Sequence, residues 1–118
     1  MYKFENLTVW KKSVHLIEEA YKVIALLPTS ERFGLVDQLR RAIISISLNI
    51  AEGSGADTDK EFCRYLYLSR KSLYEVVAII KIIERLYPGV DIEVLVKDIE
   101  EVSKILSGLI KKLKTSRS

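Results

Sequence analysis

An all-α fold, an antiparallel up-down-up-down four-helix bundle, is what this chain of 118 residues predicts. Three observations carry the expectation. Four stretches repeat apolar residues at alternating spacings of four and three, the mark of helices with a buried face. The breaks between them, Pro28-Thr29-Ser30, Gly53-Ser54-Gly55 and Pro88-Gly89, are the turn-forming clusters of the chain. No break exceeds about seven residues, and short connections make consecutive helices antiparallel neighbours. No segment of strand period competes.

The first helix is expected over residues 7–27, with Trp10, Val14, Ile17, Tyr21 and Ile24 on its core face and Pro28 as its stop. Lys11, His15, Glu18, Glu19 and Lys22 fall on the other side. The second helix is expected over 36–52, after a short turn at 30–34. Leu35, Leu39, Ala42, Ile43, Ile46 and Ile50 define its core arc, and Gly53 stands where a left-handed C-terminal cap is wanted. The third helix, over 59–87, has the strongest signal. Thr58 and Glu61 read as a capping box, and Phe62, Leu66, Ser69, Leu73, Val76, Ile80, Ile83 and Tyr87 continue the spacing to its end. The fourth is expected over 92–114, with Asp91 as N-cap and Leu95, Ile99, Val102, Leu106, Leu109 and Leu113 as its stripe. Its carboxylates come early and its lysines late, which complements the helix dipole.

Composition narrows the function classes. The chain is 48% hydrophobic and 30% charged, with 19 basic and 16 acidic residues and a net charge of +3. That is the profile of one globular domain spanning 1–118 with a short basic tail at about 114–118. One cysteine, Cys63, excludes an intrachain disulfide and a cysteine-based zinc site, and one histidine, His15, leaves no pair for a His-dependent metal site. The opening residues have no apolar leader region, and the longest near-apolar run, 42–51, is too short to span a membrane. A free thiol then points to the cytoplasm. Ser45 has no His or Lys at helical spacing, and Gly53-Ser54-Gly55 lacks the ending of a phosphate loop. Neither an enzyme nor a bound cofactor is expected.

Two helices are more apolar than a monomeric bundle needs. Wheel positions at about 100° per residue give the second helix an extra arc of Ile44, Leu48 and Ala51. The third adds Leu68, Ile79, Ile82 and Leu86 beside its main stripe. Clustered apolar residues on an outer face predict self-association. A polar stripe of Gln38, Arg41, Ser45, Asn49 and Glu52 runs along one edge of the second helix, with Ser72 and Glu75 as candidate partners on the third. It reads as a hydrogen-bonded network that fixes helix register rather than as a ligand site.

Residues 38–53, QLRRAIISISLNIAEG, resemble the signature of four-helix-bundle proteins encoded in intervening sequences of bacterial large-subunit ribosomal RNA genes. Phe4, Leu7, Val9 and Trp10 resemble the family's opening, Glu31, Gly34 and Leu35 its first helical junction, and Ser72, Leu73 and Glu75 its third helix. The similarity covers 4–109, with Ser47 where relatives often have proline and Lys71 where they often have glycine. The resemblance implies an antiparallel bundle and a ring-shaped homopentamer. It also implies kinship with accessory proteins of diversity-generating retroelements, which are basic, bind nucleic acid and contact a reverse transcriptase.

For nucleic acid the residues offer one flank of the third helix. Lys60, Arg64, Lys71, Lys81 and Arg85 share it with Tyr67 and Tyr74, and no carboxylate is expected in that sector. Cations can hold phosphates and open rings can stack on bases. Lys111, Lys112, Lys114 and Arg117 add a second cluster. Two functions follow: an oligomeric RNA- or DNA-binding accessory protein, or an oligomeric scaffold for a protein partner that binds no nucleic acid.

Overall fold

Four α-helices carry the chain: α1 (Thr8–Ile24), α2 (Leu35–Ser54), α3 (Asp59–Leu86) and α4 (Glu93–Thr115). The structure is a computed structural model that describes residues 1–115, and among these there is no strand. Arg117 and the end of the basic tail lie outside the described residues. Short 3₁₀ turns, Lys3–Asn6 and Thr29–Glu31, precede α1 and α2. Thr58 caps α3 as expected, its hydroxyl accepting from the Glu61 amide at 3.1 Å. Helix α4 begins one residue later than expected, so Asp91, the expected N-cap, lies one residue outside the cap position and accepts from the Glu93 amide at 3.0 Å.

Each helix packs on its sequence neighbour, and α1 closes against α4; among the described residues the diagonal pairs bring no Cα atoms within 8 Å of one another. Contacts at three seams match rising numbers on one helix with falling numbers on the next. Ser45 meets Ser72, and the Ile46 carbonyl meets Ser69, between α2 and α3. Tyr67 lies by Lys114 and Arg70 by Ser107 between α3 and α4. Lys12 meets Glu101 and His15 meets Asp98 between α1 and α4. Leu16, Leu39, Ile43, Ile46, Ile50, Leu66, Ile80, Ile83, Leu95 and Leu106 are fully buried at the centre. Each such side chain contributes about 1.5–3 kcal/mol by leaving water.

The core faces of α2 and α3 lie where the spacing put them, but that of α1 is turned by one position. Val9, Ser13, Leu16, Ala20, Val23 and Leu27 are buried; Trp10, Val14, Ile17 and Ile24 are half-buried, and Tyr21 is exposed. The buried set has the same four-three spacing as the expected one. Ser13 hid it, because a serine looks out of place in a core. Its hydroxyl donates to the Trp10 carbonyl at 2.6 Å, so its burial strands no polar group. In α4, Ile110 is buried while Leu109 and Leu113 are half-buried.

Gly53 does not end α2. It lies inside the helix, no glycine in the described chain has positive φ, and the residue is buried. A Cβ there would lie 2.6 Å from Tyr65 Cβ and 2.9 Å from Phe62 Cδ1. The glycine therefore serves the close approach of α2 to α3 rather than a turn. Ile79, expected on the outer apolar arc, is 6% exposed and belongs to the core. Helix α3 meets both α2 and α4, so its buried arc is wider than a single stripe.

Candidate nucleic-acid interface

The polar stripe of α2 divides into two parts. Ser45, Asn49 and Ser72 are half-buried and bonded together: Asn49 Nδ2 donates to the Ser45 carbonyl at 2.9 Å and to Ser45 Oγ at 3.0 Å, and Ser72 Oγ donates to Ser45 Oγ at 2.9 Å. Buried Ser69 adds a 2.8 Å bond to the Ile46 carbonyl, a cross-helix link the stripe did not include. Arg41 turns away and pairs with Asp37 at 3.1 Å, while Gln38, Glu52 and Glu75 are exposed. None of these four joins the network, which is confined to Ser45, Asn49 and Ser72 at the seam.

On the flank of α3, Lys60, Arg64, Lys71, Tyr74, Lys81 and Arg85 are all exposed. Two of the cations are not alone. Arg64 is held by Glu61 at 2.7 Å, and this hydrogen bond and the carboxylate's charge raise its already high pKa. Lys81 approaches Glu84 at 3.9 Å. The expectation of a sector without carboxylates is therefore corrected at both ends, because residues three apart on a helix are within reach of one another. Tyr67 is corrected too. It is half-buried against the core, with the Arg70 guanidinium 4.9 Å and the Lys114 ammonium 5.0 Å from its ring centre. That ring is engaged by cations and is no open platform for a base. Tyr74, 67% exposed, is the open one of the two.

The structure moves the basic surface from one helix to a seam. Contacts of Tyr67 with Lys114 and of Arg70 with Ser107 lay residues 62–74 of α3 beside 102–115 of α4. These two segments hold seven cations, Arg64, Arg70, Lys71, Lys104, Lys111, Lys112 and Lys114, and no carboxylate. The stretch between them, 75–101, holds three cations and seven carboxylates. Charge is thus sorted along the α3–α4 face. Arg70 was missed on the wheel because it sits off the flank, towards α4. A count of carboxylates per segment would have found it.

The extra apolar residues are divided by the fold. Leu48 (54% exposed), Leu68, Ile82 and Leu86 are open, whereas Ile44 and Ala51 are half-buried and Ile79 is covered. His15 is exposed, with its ring nitrogens 3.3 Å from Glu18, 3.4 Å from Asp98 and 3.8 Å from Glu19. Cys63 is buried and free. Among the described residues no cluster of His, Cys, Asp and Glu is arranged to hold a metal ion, and no helix is long and apolar enough to cross a membrane.

The family model of the 23S rRNA-intervening sequence protein matches residues 5–108. The chain belongs to that family. The match takes in all of α1, α2 and α3 and α4 as far as Gly108. Of the seven cations on segments 62–74 and 102–115, this span of the 23S rRNA-intervening sequence family includes Arg64, Arg70, Lys71 and Lys104, while Lys111, Lys112 and Lys114 follow it. No curated protein is similar enough to stand beside the chain as a relative.

Proposed function

We propose that the chain is a non-enzymatic, homo-oligomeric RNA-binding accessory protein, built as an antiparallel up-down-up-down bundle. The observation that carries this reading is that segments 62–74 of α3 and 102–115 of α4, which meet at Arg70–Ser107 and Tyr67–Lys114, hold seven cations and no carboxylate. Among the described residues Arg64 alone of them is ion-paired, with Glu61 just outside. A polyanion gains from such a surface by releasing condensed counterions, with little regard to sequence. The family is named for an intervening sequence of 23S rRNA, which supports RNA over DNA as the polymer. Self-association rests on Leu48, Leu68, Ile82 and Leu86, which stand open on the outside of α2 and α3. The resemblance favours a ring of five, and closed symmetry satisfies every copy of such an interface. Work in the cytoplasm accords with the buried free thiol of Cys63.

The test is an electrophoretic shift of a structured RNA across a salt series. Wild type is expected to bind near about 50 mM salt and to lose affinity steeply as salt rises. A Lys71→Glu/Lys111→Glu variant should bind all RNAs more weakly and with a flatter salt dependence. Absence of any shift at the lowest salt overturns the reading. The open apolar residues would then favour a scaffold for a protein partner.

A further inference from the structure

Five cations of the described chain sit against carboxylates: Lys12 with Glu101, Lys22 with Glu19, Arg41 with Asp37, Arg64 with Glu61 and Lys81 with Glu84. Arg70 and Lys114 have no such partner among the described residues. They converge instead on one ring, 4.9 Å and 5.0 Å from the centre of Tyr67. Of the five N–H groups of Arg70, one makes a long 3.5 Å bond to the hydroxyl of Ser107. Two like charges, each about 5 Å from the centre of one ring, repel each other. The quadrupole of the ring offsets part of that repulsion, and an anion reached by both would offset more.

We propose that Arg70, Ser107 and Lys114, gathered over the Tyr67 ring, form a seat for one phosphate group, which is a backbone phosphodiester when the polymer is RNA. The identity of the polymer rests on the function proposed above; the seat itself rests on this geometry. Arg70 and Tyr67 are both half-buried, and the Arg70 guanidinium lies against the Tyr67 ring and the Ser107 hydroxyl. A guanidinium presents paired donors that match two phosphate oxygens, an ammonium adds a point charge, and a hydroxyl can donate to a third oxygen. Lys71 and Lys111, exposed on the same two segments, would meet neighbouring phosphates. With its ring occupied by cations, Tyr67 stacks on no base. The seat therefore reads phosphate and not sequence.

The experiment follows the Tyr67 ring and Ser107 amide signals by NMR while inorganic phosphate, and separately adenosine, is added. Phosphate is expected to move both signals along a saturable curve, and adenosine to leave them in place. Arg70→Gln/Lys114→Gln should weaken the phosphate response about tenfold and lower the RNA salt slope by about two. Arg70→Lys, which keeps charge and stem, should keep the fold and still lose several-fold through the missing fork. Lys11→Gln/Lys97→Gln is the charge-matched control and should leave the phosphate response intact. An unsaturable phosphate response, or one equal in the Arg70/Lys114 variant and the control, overturns the seat. Unchanged RNA affinity and salt slope in the Arg70/Lys114 variant overturn it too, while RNA binding stands. Saturable phosphate binding in a protein that shifts no RNA overturns the RNA reading and leaves the seat.

Discussion

A methyl group added at residue 53 would fall 2.6 Å from Tyr65 Cβ, an atom fixed to the backbone of α3 that cannot swing aside. Alanine is the better helix former by about 1 kcal/mol, so propensity alone would make Gly53→Ala stabilising. Overpacking of a tight contact costs about 1–3 kcal/mol and should win. Denaturant unfolding of Gly53→Ala is expected to show a net loss, and a gain would mean that α2 and α3 are further apart. At the other end of the same seam, the Tyr87 hydroxyl donates to Glu31 Oε2 at 2.5 Å, while Glu31 Oε1 accepts from the Leu35 amide at 3.3 Å. One carboxylate thereby ties the end of α3 to the start of α2. This hydrogen bond, more than its partial burial or the carboxylate's charge, raises the Tyr87 pKa. A raised folded pKa means stability that is complete below the unfolded tyrosine value, about 10, and lost as pH rises through the folded one. Wild type should therefore be more stable than Tyr87→Phe at neutral pH. The gap should close in alkali; a gap that stays constant above about pH 11 would show that the proton does not matter.

At the scale of elements, α1 tests whether period is enough to set a face. Two interleaved sets on that helix share the same spacing, one led by Trp10 and the other by Val9. The fold buries the second, which contains Ser13 and Ala20. Leu16→Ala is expected to cost about 2–5 kcal/mol as a fully buried truncation. Tyr21→Ala, at a side chain 42% exposed with Arg40 5.8 Å from its ring centre, should cost less than about 1 kcal/mol. Chemical unfolding of the two variants separates the faces, and equal losses would restore the first. The helices and their order were legible because Pro28, the Gly53-Ser54-Gly55 run and Pro88-Gly89 interrupt periods that nothing else contests. Phase was legible on α2 and α3, where large aliphatics outnumber any rival set. It was not on α1, where Ser13 and Ala20 on the buried face make that face look less apolar in sequence than the one led by Trp10. The basic surface was half legible: a wheel orders one helix at a time, and the seam that joins Arg70 to Lys114 exists only between two.

For the whole molecule, the open apolar residues and the sorted charge pose separate questions. Leu48, at 54% exposure, lies off the core arc of α2. Leu48→Glu should therefore break self-association and leave the helical content and the unfolding midpoint of the subunit nearly unchanged. Light scattering is expected to give a mass well above 13.5 kDa for wild type and near it for the variant. A monomeric wild type at micromolar concentration would remove the oligomer and leave these side chains to another partner.

The division of charge along the α3–α4 face also bears on how fast a partner is found. The molecule measures 48 × 25 × 20 Å, and its cations and carboxylates gather on different stretches of the same two helices. Such a particle carries a permanent electric moment, so a distant polyanion exerts a torque on it before any atoms touch. A free subunit would turn into its docking orientation during approach, and a ring would turn as a whole under the sum of its subunits' moments, so that collisions otherwise wasted become productive. Oriented approach of this kind raises association rates by about 10- to 1,000-fold at low ionic strength. It fades once the Debye length shrinks to about 8 Å in physiological salt, so added salt would slow arrival before it hastened departure.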